Sequence, residues 1–183
     1  MSALTYCGDM VEKWVVPCRN FLIQIRIPET ALAIERALCK LDNRILSDGL
    51  EIFRLVSLKT VNHIDYAINL RTFTPLMCFS GLKHVDLPSF CVSLLDDDAL
   101  GSIVKSWPRL ERLHLGTEFL WKVQPRLTFQ SLMTALLSCP NLRELGLVFV
   151  ATKLDPLTVK KLGGGGRSPR SVSGALGLNN HGE

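Results

Sequence analysis

Three stretches of the chain carry one phrase: Leu82-Lys83-His84-Val85-Asp86-Leu87, Leu110-Glu111-Arg112-Leu113-His114-Leu115 and Leu142-Arg143-Glu144-Leu145-Gly146-Leu147. Each reads L-x-x-[LV]-x-L. The last two follow a matched lead-in, Trp107-Pro108-Arg109 and Cys139-Pro140-Asn141. Two fainter copies, Leu22-x-x-Ile25-x-Ile27 and Leu50-x-x-Phe53-x-Leu55, fit the same template. The first leucines then stand at 22, 50, 82, 110 and 142, so the spacing alternates between 28 and 32 residues. A repeat at this period builds a long surface rather than one central pocket.

Each template reads as a short strand, because its fourth and sixth positions turn inward with period two. The segment before each secure copy reads as a helix. Asp96-Asp97-Asp98 sets carboxylates at a helix start, where they complement the positive end of the dipole. Leu100, Ile103 and Val104 supply an i, i+3, i+4 stripe, and Trp107-Pro108 ends it. In the next unit Thr128 is the expected N-cap, Leu132, Met133, Leu136 and Leu137 the stripe, and Cys139-Pro140 the stop. Proline cannot continue the hydrogen-bond ladder and biases its predecessor away from helix. Cys139 is expected as a small buried hydrophobe, since Trp107 fills the same repeat position.

Upstream the alternation is fainter. Asp9 to Val15 is one expected helix, and Glu29 to Leu41 a stronger one with Leu32, Ile34, Leu38 and Leu41 apolar. Thr74 to Phe79 reads as a short helix opened by Pro75. Strand and helix alternating at this period give parallel strands joined by right-handed crossovers. The expected fold is therefore an α/β right-handed solenoid, a partial horseshoe with strands inside and helices outside. Each buried inward residue stabilises it by about 1.5–3 kcal/mol. The repeat domain is expected over residues 1–155, most securely over 72–150. Residues 156–183, with Gly163 to Gly166 and Arg167-Ser168-Pro169-Arg170-Ser171, read as a flexible, disordered tail.

The chain has 183 residues, 47% hydrophobic and 21% charged, a globular balance with room for a core. The net charge of +4 comes with no dense block of lysine and arginine. Neither a nucleic acid nor a membrane surface is therefore the expected partner. Asp9, Glu12 and Lys13 rule out a secretory signal in the opening residues, and no apolar run reaches membrane-spanning length. The six cysteines form no C-x-x-C pair, so a reducing intracellular setting, cytoplasmic or nuclear, is expected.

The secure units resemble the leucine-rich-repeat region of fungal F-box proteins, of the ribonuclease-inhibitor-like kind. The matching text runs from Pro75-Leu76 to Gly81-Leu82, from Leu95-Asp96-Asp97 to Trp107-Pro108-Arg109-Leu110, and from Thr128 to Cys139-Pro140-Asn141-Leu142. The resemblance covers residues 72–150, and more weakly the stretch from 20. It implies a substrate receptor of a ubiquitin ligase, whose repeats hold the target while an F-box docks the adaptor. No F-box is recognisable: Pro28 to Leu41 is apolar and helical, but spaced like an inter-strand helix. The alternative expectation is a truncated or remnant solenoid without independent function.

Residues alternating with the inward leucines face the expected concave surface. They form two lateral rows about 4.8 Å apart from strand to strand. One row reads Arg26, Arg54, Asp86, His114 and Gly146; the other reads Gln24, Ile52, His84, Arg112 and Glu144. The expected protein-binding residues are Arg26, Arg54, His84, Asp86, Arg112, His114 and Glu144; the alternative expectation is a solvated sheet face with ladder ion pairs such as Arg112 with Glu144. His84, Asp86 and His114 could approach a metal, but zinc needs three or four convergent ligands and Arg112 competes beside them. No phosphate-binding glycine loop and no nucleophile, base and oxyanion constellation emerges. The expectation is a non-enzymatic binding module with no cofactor. Phe119 and Trp121-Lys122 are further candidate contacts in the loop after the fourth strand.

Overall fold

The computed structural model describes residues 18–42, 45, 49–59, 63–117 and 124–150, and the backbone of 171–174. The helix expected over Asp9 to Val15, the aromatic loop at Phe119 and Trp121, and the tail apart from 171–174 lie outside these residues. Every template becomes a strand: β1 (Asn20–Ile25), β2 (Ile52–Ser57), β3 (His84–Leu87), β4 (Arg112–Leu115) and β5 (Glu144–Leu147). The strands pair in chain order and all are parallel. Parallel neighbours need a crossover between them. The crossovers here carry α1 (Ala31–Asp42), α2 (Leu70–Phe73), α3 (Asp97–Ser106) and α4 (Phe129–Ser138). The fold is thus mixed α/β on one parallel sheet. Ser171–Gly174, read from sequence as tail, lies along β5 as a further parallel strand, β6. An edge strand offers unpaired backbone groups that such a segment satisfies.

Local chemistry explains the two best-formed crossovers. Asp96 caps α3 by accepting the Ala99 amide at 2.8 Å, and Thr128 caps α4 by accepting the Gln130 amide at 3.1 Å. Trp107 and Cys139 are the C-caps, and both are fully buried. From each of these positions a carbonyl takes the amide of the first template leucine, Leu110 at 3.1 Å and Leu142 at 3.1 Å. Phe79 does the same for Leu82 at 3.2 Å and is equally buried, so it is the lead-in residue of the third unit. Trp107 also reaches back one unit. Its indole N–H donates to the Leu76 carbonyl at 3.0 Å, and its ring meets Phe73 edge-on at 6.4 Å.

Between β2 and β3 the short helix expected over Thr74 to Phe79 forms only as a 3-10 turn, preceded by one α-helical turn. α2 spans one turn, capped by Asn69, and runs into a 3-10 turn over Thr74–Leu76 with Pro75 at its start. Two expected stripe residues turn outward: Leu32 in α1 and Leu137 in α4 are 52% and 76% exposed. Ala37 in α1 and Ser131 and Ala135 in α4 are buried in the same helices. Close helix–sheet and helix–helix approach favours the small side chains and pushes the leucines to the rim.

The first unit is set four residues from the template. Leu22 pairs with Arg54, and Asn20 with Ile52, so Cys18 rather than Leu22 occupies the first-leucine position. Leu22 and Ile27 are accordingly exposed, while Ile23 and Ile25 are buried. A shift by an even number leaves the inward parity unchanged, so periodicity alone could not detect it. Phe21 then falls opposite Phe53, and their rings stack with centroids 6.2 Å apart.

One core holds the inward rows and the helices together. Phe53, Val85, Leu113 and Leu145 form one row, and Ile23, Leu55, Leu87, Leu115 and Leu147 the next. Ile34, Leu38, Leu100, Ile103, Val104 and Leu132 pack against them. The helices thus cover one face of the sheet.

Candidate functional site

Parallel sheets are ordinarily covered on both faces. Here the face opposite the helices carries Leu22, Gln24 and Arg54 as exposed residues, and Ile52, Val56, His84, Arg112, His114 and Glu144 as half-exposed ones. The register sorts them into lateral rows. Asn20, Ile52, His84, Arg112 and Glu144 stand in one; Leu22, Arg54, Asp86, His114 and Gly146 stand in the next. From Arg54 to Gly146 and from Ile52 to Glu144 the order is that expected from sequence. Arg26 and Gln24 are the corrections. The four-residue shift puts Gln24 beside Val56 and leaves Arg26 one residue beyond the end of β1.

Across β3 to β5 the charges meet one another. Arg112 Nη2 lies 2.6 Å from Glu144 Oε2, the ladder pair expected from the template. His114 sits between two carboxylates, with Nδ1 3.3 Å from Asp86 Oδ1 and Nε2 3.1 Å from Glu144 Oε1. Neither His114 Nε2 nor Asp86 Oδ1 makes an aligned hydrogen bond, so these are close polar approaches rather than directed bonds. Arg54 Nε approaches Asp86 Oδ2 at 3.9 Å. Asp86 is only 9% exposed, which removes it from direct contact with a partner and makes it the internal anchor of the cluster.

Gly146 gives this cluster its shape. A Cβ there would stand 2.9 Å from His114 Cδ2 and 3.0 Å from Thr117 Cγ2. The missing side chain is what lets the imidazole lean across β5 toward Glu144. The sequence showed Gly146 as a gap in a row, and only the packing shows what fills it.

A second charged row was missed. Arg19, Glu51, Lys83, Glu111 and Arg143 occupy the second template position, and their signs alternate along the sheet. Each of the first four uses one carbonyl to accept two amides of the next strand. Arg19 takes those of Glu51 and Ile52, Glu51 those of Lys83 and His84, Lys83 those of Glu111 and Arg112, and Glu111 those of Arg143 and Glu144. The side chains follow the backbone: Lys83 Nζ bonds Glu51 Oε2 at 3.1 Å. The hydrogen bond and charge of Lys83, with smaller contributions from Arg19 and Arg109, hold the Glu51 carboxyl below its ordinary value. The alternation from Glu51 to Arg143 was present in sequence, and the true register of the first unit adds Arg19 to it. Opposite charges on adjacent strands each add a few tenths of a kcal/mol, roughly 0.2–1, and help to hold register.

Among the described residues no group of three His, Cys, Asp or Glu side chains converges on a metal position. Burial pushes the Cys139 thiol up to about 11, so it is a packing residue and not a nucleophile at neutral pH. A shallow groove of about 590 Å³ beside α2 and α3 is lined by Arg71, Asp96 and Asp98. Asp96 is already engaged there as the N-cap. No described helix is long and apolar enough to cross a membrane. Comparison with protein-family models and with curated protein sequences finds no match to either.

Proposed function

We propose that the chain is a non-enzymatic protein-binding module of leucine-rich-repeat type, and that the open face of its sheet receives the partner. The observation that carries this reading is a parallel sheet with helices on one face and, on the other, ordered rows holding Arg54, His84, Arg112, His114 and Glu144. A regular array of strands presents side chains at fixed spacing, which suits recognition of another protein and provides no pocket for chemistry. The resemblance of residues 72–150 to the repeats of F-box proteins extends the proposal to substrate reception for a ubiquitin ligase in the cytoplasm or nucleus.

Affinity capture with mass spectrometry, using the full chain, tests it. The comparison is with a variant altered across the whole face, Arg54→Glu with Arg112→Ala and His114→Ala. Partners that disappear with the variant, while its melting curve stays near that of the parent, support the reading. Partners retained by the variant overturn the site. Recovery of a cullin adaptor supports the ligase role, and a partner set without one argues for binding outside that system.

A further inference from the structure

Resting on the protein-binding reading, we propose that the binding centre of the open face is its β1–β2 half, and that this half takes an acidic segment of another protein bearing apolar side chains. Leu22 on β1 is 67% exposed, and Leu58, just past the end of β2, is 56% exposed. Ile52 and Val56 stand half-exposed on the same face of β2. Arg54 lies among them, with Leu22 beside it across the sheet and Ile52 and Val56 two residues away along the strand. Its side chain is 54% exposed, and its ion pair with Asp86 is a single Nε approach at 3.9 Å.

Charge points to the partner. β1 and β2 read Asn-Phe-Leu-Ile-Gln-Ile and Ile-Phe-Arg-Leu-Val-Ser and contain no carboxylate. Arg26 and Lys59, at the strand exits, are exposed cations. A carboxylate arriving over Arg54 meets a guanidinium able to bond it through two parallel N–H groups, on a surface flanked by leucine and isoleucine side chains. Contacts of that kind, an arginine within an apolar surround, dominate interface energetics. The β3–β5 half is different. Arg112, Glu144, His114 and Asp86 already lie close against one another, and a partner must disturb those contacts before forming its own.

Fluorescence anisotropy with a short labelled peptide of Glu and Leu residues provides the test, beside matched peptides carrying Lys for Glu or Ser for Leu. The Glu/Leu peptide is expected to bind the full chain saturably, and the matched peptides to bind at least about tenfold more weakly. Arg54→Glu, and separately Leu22→Ser with Leu58→Ser, are expected to weaken binding about tenfold or more. All three positions are solvent-facing, and circular dichroism confirms that each variant is folded. Arg112→Ala with His114→Ala is expected to weaken binding less than Arg54→Glu does, and Lys105→Ala, exposed on α3 at the helix side, to leave the affinity within about twofold. Sensitivity to Arg112 and His114 alone overturns this inference and leaves the protein-binding reading standing. So does sedimentation showing that the β1–β2 patch is the contact of a self-dimer. Retention on phosphatidylserine vesicles without peptide binding overturns it, as does absence of binding by any peptide. The protein-binding reading is decided separately, by whether captured partners are lost with the whole-face variant.

Discussion

The two halves of the open sheet face are built on one template and behave as opposites. On β3 to β5 the outward positions are His84, Asp86, Arg112, His114 and Glu144, and the last four form one connected set of close polar contacts. On β1 and β2 the corresponding positions are Asn20, Leu22, Ile52 and Arg54, where apolar side chains surround a cation with one long contact. The lesson is that identical backbone geometry leaves the chemistry of a repeat surface undetermined. A network closed on itself holds register between strands. A cation set among exposed apolar groups has free energy still to gain from a partner.

The hardest way to break this comparison is to show that outward and inward positions are not distinct. Leu113, fully buried beneath the polar half, is expected to lose about 3–5 kcal/mol or more when changed to Asp, enough to abolish a cooperative melt. Leu22→Asp, on the open half, is expected to stay within about 1 kcal/mol of the parent. Similar melting curves for the two would refute the assignment of faces.

Next in size is Gly146→Val. The added carbons collide with His114 and Thr117, and a cost of about 1–3 kcal/mol is expected. Displaced imidazole resonances of His114 in an NMR spectrum would accompany it. Unmoved resonances would mean that the ring does not depend on the glycine.

Asp97 sharpens the contrast on the helix side of the same half. It accepts the Thr128 amide at 2.8 Å, the Thr128 hydroxyl at 2.6 Å and the Ser131 hydroxyl, tying α3 to the start of α4. Partial burial works against its ionisation, yet the hydrogen bonds from Ser131 and Thr128 outweigh burial and hold its carboxyl below the ordinary 3.8. A depressed folded-state value means that the contribution is fully present above the unfolded value and is lost as pH falls through the folded one. Asp97→Asn is expected to cost about 1–2 kcal/mol at neutral pH. Denaturant titrations below about pH 4 should bring parent and variant together; a gap that does not shrink would exclude the charge-assisted clamp.

The smallest effect belongs to the charge network itself. Arg112→Ala is expected to lower stability by about 1 kcal/mol or less, because its side chain is 43% exposed and water screens the pair. Arg54→Ala, with its single 3.9 Å contact, is expected to change stability by less still. Equal and large losses from both would mean that the two halves are not differently satisfied.

Much of the β3–β5 region was legible because its signals are local. Strand alternation, N-caps Asp96 and Thr128, helix stops at Trp107 and Cys139, and the Arg112–Glu144 pair all lie within one template and its immediate neighbours. The first unit was legible in parity and not in register, since a four-residue shift of Leu22-x-x-Ile25-x-Ile27 keeps the odd-numbered positions inward while replacing Ile25 and Ile27 by Phe21 and Ile23 as the template pair. Leu32 and Leu137 were misplaced because a stripe of leucines says nothing of how closely helices approach. In the alternating row, Glu51, Lys83, Glu111 and Arg143 were legible on the template, and only Arg19 needed the corrected register.

The sequence by itself determined the repeat period, the inward faces of the strands and the ends of the best helices, because each depends on residues only a few positions apart. Only the tertiary structure decided the register of the first strand and which side chains touch across the sheet. That is a matter of distance between chain segments about thirty residues apart. It is this lateral pairing that closes Arg112, His114, Asp86 and Glu144 on one another, opens Leu22, Ile52 and Arg54 to solvent, and so divides one repeated surface into two different ones.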